Sequence, residues 1–181
     1  MSVSRTRTMV TAALIASLIA VGAFVSLPLG TVPVTLQTLA VVLAAILLSP
    51  GGAFAATGVY VLLGVVGVPV FAGGKAGLAV LVGPTGGFIL GFVAGATLGA
   101  VVRKVLADRV PSVVADGAAA AVVLVTVYLL GWAQLALVAD MSLAVAFAAG
   151  VAPFVIFDVI KAAAAIAFAE GIRRGRAIPA R

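Results

Sequence analysis

The chain has no cysteine and no histidine, and only 9% of its 181 residues are charged. The lack of cysteine excludes disulfides, thiol nucleophiles and thiolate metal sites. The lack of histidine removes the commonest general base and metal ligand as well. No Gly-x-x-x-x-Gly-Lys-[Ser/Thr] phosphate loop and no Gly-x-Ser-x-Gly elbow occurs, so the chain carries neither a Walker-type ATP site nor the usual hydrolase nucleophile. Its five acidic residues are scattered and form no adjacent pair suited to acid–base or metal chemistry. Neither enzymatic activity nor a resident metal or cofactor is expected.

What is present is apolar. Hydrophobic residues make up 65% of the chain, the mean hydropathy is +1.38, and no charged residue occurs from Thr8 to Gly74. No soluble fold of this size keeps such a stretch off its surface, so the chain reads as one integral membrane domain spanning residues 1–181. The net charge of +6 does not point to nucleic acid, because the basic residues do not line a helix face. They fall in three groups: Arg5 and Arg7; Arg103, Lys104 and Arg109; and Arg173, Arg174, Arg176 and Arg181. All three read as anchors against lipid headgroups on the cytoplasmic side.

A perpendicular membrane helix needs about 20 apolar residues. Apolar runs punctuated by proline and glycine give six spans, at about 8–27, 36–48, 53–67, 83–102, 112–138 and 143–169. The fold class is therefore an all-α, six-helix membrane bundle. The first run lacks a convincing cleavage site and is read as a retained helix. The second and third runs are short, and a broken hairpin there would reduce the spans to four. With six, both termini and all three basic groups share the cytoplasmic side, and the opposite connections hold only Lys75 and Asp140 as charges.

Asp158 and Lys161 stand out because they lie inside an otherwise apolar span. An ionised side chain in hydrocarbon persists only where it faces protein, water or ligand. At i and i+3 the two share a helix face and can address one solute together, or neutralise each other as an internal pair. The outer connections add further polarity. Residues Thr31 to Leu39 carry a proline, three threonines and Gln37, offering hydroxyl and amide groups, with Thr35 a candidate N-cap for the second span. The connection between helices 3 and 4, Gly67 to Gly87, is long and glycine-dense; it reads as a structured outer loop that can fold over a solute, with Gly73 and Gly74 presenting bare backbone. In the first span Ala12, Ala16 and Ala20 recur every fourth residue and allow close helix approach, either within the bundle or to a separate membrane subunit.

Four segments together carry a resemblance: Val32-Pro-Val-Thr-Leu-Gln-Thr-Leu39, Gly67-Val-Pro-Val-Phe-Ala-Gly-Gly74, Gly83-Pro-Thr-Gly-Gly-Phe88 with Gly91-Phe92, and Asp158-Val-Ile-Lys161. In these the chain resembles the BioY family, the biotin-specific substrate-binding subunits (S components) of energy-coupling factor vitamin transporters. The resemblance covers nearly the whole chain, with departures at Lys75-Ala76 and Phe88. It implies a six-helix S component that binds biotin on its outer side and works with a membrane-embedded coupling (T) subunit and a pair of ATPases. It also assigns Ala12, Ala16 and Ala20 to contact with the coupling subunit. Given that ligand, Lys161 is the expected partner of the biotin carboxylate, and Asp158 of a ureido N–H or of Lys161 itself. Phe71, Phe88 and Tyr60 would wall the ring, while Thr35, Gln37, Gly73 and Gly74 would complete the hydrogen bonds. A binding subunit for another small vitamin, a solitary facilitator and a structural membrane protein remain alternatives at this level.

Overall fold

The computed structural model describes residues 3–27 and 32–177. The helices are α1 (Val3–Phe24), α2 (Gln37–Leu47), α3 (Pro50–Val65), α4 (Leu78–Val82), α5 (Gly86–Leu106), α6 (Ser112–Val138), α7 (Leu143–Gly150) and α8 (Val155–Ala177). A two-stranded antiparallel ribbon, β1 (Ser26–Leu27) against β2 (Val34–Thr35), joins α1 to α2. Residues 28–31, which hold part of the first outer connection, and the side chains of Arg5, Arg7, Arg176 and Arg181 lie outside the described residues.

By length and composition α5 and α6 are each long enough and apolar enough to cross a bilayer, and α7 with α8, bent by 47° at their break, together meet the same test. The segment Thr8–Phe24, α2 and α3 are shorter apolar helices. These are the six apolar segments expected from sequence, in order, although α2 rises only about 16 Å. Two features matter for the site, the first a departure from the sequence reading and the second in line with it. The last span is not continuous: the chain unwinds between Gly150 and Val155, around Pro153, which cannot continue a helix without losing a hydrogen bond. The loop between α3 and α5 is also ordered, since it contains α4 and a tight turn closed by a bridge between Phe71 and Lys75.

The closest helix packing is between α5 and α6. Gly87, Gly91, Gly95 and Gly99 recur every fourth residue along α5, and a Cβ on Gly91 would sit 2.7 Å from the Val127 Cα of α6. Backbones meet there because no side chain intervenes, which is how helices associate where lipid gives no hydrophobic driving force. Helix α3 starts on a side-chain cap, with Ser49 Oγ accepting from the Gly52 N–H at 3.2 Å and Pro50 at the first helical position.

One end of the bundle is held by charge. Asp116 of α6, fully buried, accepts from Arg103 Nε of α5 at 2.8 Å and from the Arg173 guanidinium of α8. Glu170 adds a bond from Ser112 Oγ at 3.2 Å. Arg103 and Arg173, expected only as headgroup anchors, are thus also clamps between helices. The same contacts show that the α5–α6 connection and the end of α8 share one face of the bundle, opposite the α3–α5 loop.

Candidate functional site

At that opposite end a cavity of about 80 Å³ opens between the start of α2, the α3–α5 loop, α5, α6 and the α7–α8 break. A water needs about 10–15 Å³ on this measure, so the space suits several waters or one small solute. Its walls are mainly apolar, with Phe71, Phe88, Phe92 and Phe154 among them, and Asp158, Lys161, Thr35, Gln37, Thr38 and Tyr128 supply the polar groups.

The α7–α8 break makes the polar patch. Because α8 begins at Val155, Asp158 sits in its first turn, where a carboxylate is favoured by the helix dipole. Asp158 is only 4% exposed. Its Oδ1 accepts from Thr38 Oγ1 and from Lys161 Nζ, each at 2.7 Å, and its Oδ2 accepts from the Tyr128 hydroxyl at 2.6 Å. Lys161 Nζ donates in addition to the Thr35 carbonyl at 2.6 Å and to Thr38 Oγ1 at 3.1 Å. An ammonium has three N–H donors, and all three are directed to protein acceptors. In this arrangement Lys161 cross-links α8 to the start of α2, with Asp158 holding it.

Gln37 and Thr35 form a second layer. Gln37 Nε2 donates to the Tyr60 hydroxyl at 2.6 Å, and Thr35 Oγ1 donates to Gln37 Oε1 at 3.2 Å. Thr35 is not the formal N-cap of α2, a position held by Leu36. Its hydroxyl nevertheless accepts from the Gln37 N–H at 3.3 Å and so satisfies one free donor of the first turn. Tyr60 does not wall the cavity as expected. It is fully buried behind it, edge-on to Phe71 with ring centroids 5.7 Å apart, and supports Phe71 and Gln37 from the rear. Phe71 and Phe88 line the cavity.

Gly73 and Gly74 lie exposed at the turn and not in the cavity wall. Their φ angles of 73° and 71° fall in the left-handed region that favours glycine. That pair of residues reverses the chain so that Phe71 N–H can donate to the Lys75 carbonyl at 3.0 Å. Their part is to shape the loop that carries Phe71 and Lys75.

The alanine stripe of α1 faces inward. Ala12 and Ala16 are 8% and 3% exposed within the core, and Ala20 packs against that core. Of the two packings the spacing allows, the structure shows the one within the bundle. The outer face of α1 presents Met9, Val10, Leu14, Leu18 and Val21 instead.

Three site residues were not singled out from sequence: Tyr128, Thr38 and Phe154. Tyr128 carried a signal, since a phenol inside an apolar span needs a hydrogen-bond partner. Thr38 did not, because threonines at helix starts are common. Phe154 became visible only with the α7–α8 break.

The BioY family model matches residues 1–177 of the chain. A Thermotoga maritima protein named Biotin transporter BioY is 41% identical over 169 residues, covering 93% of this chain and 96% of its own length. A Pyrococcus horikoshii protein, Probable biotin transporter BioY, is 38% identical over 161 residues, with 89% and 93% coverage. In three dimensions the chain superposes on a crystal structure of the S-component for biotin from an ECF-type ABC transporter with a TM-score of 0.87, covering 96% of this chain and 95% of that one. Sequence identity in that pair is 22%, so the match speaks to the fold.

Proposed function

Because the chain belongs to the BioY family, we propose that it is the membrane-embedded, biotin-binding S component of an energy-coupling factor uptake transporter. Its task is capture and not catalysis. The observation that carries this reading is the cavity, which has a rigid Asp158–Lys161–Thr38–Tyr128 network at one wall and phenylalanines around the rest.

Biotin offers two ureido N–H donors, one ureido carbonyl, an apolar thioether edge and a valerate tail ending in a carboxylate. A carboxylate has about four acceptor sites, and protein donors use three of those on Asp158. The remaining one is matched to a ureido N–H. The Tyr128 oxygen can accept the other, and Phe71 and Phe88 suit the ring edge. Because the cavity excludes bulk water around these groups, each polar contact is strengthened.

On this reading the partners are a membrane-embedded coupling subunit and a pair of ATPases. The protein lies in the cytoplasmic membrane with both termini inside and the cavity facing out, an orientation supported by the basic residues at the end opposite the site. Because the native chain has no cysteine, single cysteines report this cleanly. A cysteine at Leu78 should react with a membrane-impermeant thiol reagent in intact cells, and one at Arg109 should not; the reverse pattern would invert the orientation.

Calorimetry on the detergent-purified protein tests the ligand. Biotin should bind with a clear heat while riboflavin and thiamine give none. A heat with another vitamin and none with biotin would overturn the assignment.

A further inference from the structure

We propose that Lys75 is the residue that recognises the carboxylate at the free end of the ligand, and so sets the preference for an anionic solute. The proposal rests on the reading of the cavity as a biotin site and adds to it the group that meets the valerate tail.

The charge pattern of the cavity carries the argument. Lys161 has its donors committed to Thr35, Thr38 and Asp158. An anion brought to that pair would meet the Asp158 carboxylate as closely as the ammonium, so attraction and repulsion would largely cancel. The other cation lining the cavity is Lys75. Among the described residues no hydrogen bond or ion pair engages its ammonium, and it is exposed at the mouth.

The fold holds Lys75 there. Residues 71 and 75 are partners in an antiparallel bridge across the Gly73-Gly74 turn. Bridge partners project their side chains to the same side, and Phe71 is 1% exposed and lines the cavity. The turn thus directs the Lys75 side chain to the cavity that Phe71 walls. Thr85, at the start of α5, lines the same cavity, and α5 makes no side-chain cap there. The positive end of that helix reinforces the preference for negative charge.

Recognition is then divided between two places. The buried network around Asp158, with no net charge, takes the neutral ureido ring. The exposed Lys75 takes the charged tail, with the desolvation cost kept low because the ammonium stays partly in water.

Binding of biotin and of its uncharged primary amide to purified wild-type, Lys75→Ala and Lys75→Arg proteins tests the proposal. The alanine variant keeps the turn, because the bond that closes it runs from the Phe71 N–H to the main-chain carbonyl of residue 75. Lys75→Ala should weaken biotin by about three- to tenfold, as expected of a half-wet ion pair, and leave the amide unchanged. Lys75→Arg should restore biotin binding, and the wild-type preference for biotin over the amide should shrink at high salt. An equal loss for both compounds, or no loss for either, would overturn the role of Lys75 while leaving the biotin site in place. Wild-type protein that binds neither compound would remove the biotin reading itself, and the proposal with it.

Discussion

The Thr38 hydroxyl donates to Asp158 Oδ1 at 2.7 Å and accepts from Lys161 Nζ at 3.1 Å, so one side chain of α2 bonds both members of the α8 ion pair. A buried ion pair is stable only when its remaining donors and acceptors are also satisfied. Here Thr38, Thr35 and Tyr128 supply those partners from α2, the β2 end and α6. The polar wall of the cavity is therefore preorganised by the fold.

Replacing Thr38 with valine keeps the shape but leaves both ions short of a partner. The expected cost is about 1–3 kcal/mol, seen as a lower unfolding temperature in detergent and a matching loss of biotin affinity. Thr38→Ser, which keeps the hydroxyl, should restore both. A valine variant indistinguishable from wild type would show that the network does not hold the site.

The glycine seam of α5 makes a second, independent prediction. A Cβ on Gly91 would come 2.7 Å from the Val127 Cα, a backbone atom that cannot swing aside. Gly91→Ala should destabilise the bundle by about 1–3 kcal/mol, the usual cost of overpacking. Gly58→Ala, where nothing lies within 4 Å, should be neutral or stabilising, because alanine favours a helix over glycine by roughly 0.8–1 kcal/mol. Thermal unfolding of the two variants side by side checks the contrast.

Ala16 is expected to act through folding and not through docking. It is 3% exposed in the core, so Ala16→Leu should lower the unfolding temperature and the yield of the isolated subunit. Leu14→Ala, at a position 65% exposed on the opposite face, should leave both unchanged. An Ala16→Leu protein of normal stability that fails only in energised uptake would place a partner helix on that stripe after all.

The parts of this molecule that sequence made legible are those where local chemistry conflicts with lipid. Asp158 and Lys161 were conspicuous because charge inside an apolar span demands a reason. The apolar runs gave the order of the helices because a membrane span needs a long stretch without charge. What stayed hidden depends on pairing distant segments. Gln37 meets Tyr60 across 23 residues and Thr38 meets Asp158 across 120, and neither partner choice leaves a local trace. Of the three acceptors of Lys161, only Asp158 could be read from its own helix. Periodicity in α1 left open which neighbour the alanine stripe meets, and the structure packs it against the core. The tighter seam was the glycine repeat of α5, where the absent Cβ lets backbones touch. The break between α7 and α8 was masked by the unbroken apolar run, although Gly150 and Pro153 mark it.

The central claim is that one biotin occupies the cavity between the α3–α5 turn and the Asp158 network, and filling that cavity tests it most directly. Ala72 lines the cavity from the loop and is half-buried, so Ala72→Trp places an indole in the ligand's space without touching the polar network. Titration of purified protein with biotin should give one site per chain for the wild type and no detectable binding for Ala72→Trp, with the unfolding temperature of the unliganded protein unchanged. An Ala72→Trp protein that binds biotin with wild-type affinity and stoichiometry would contradict the account.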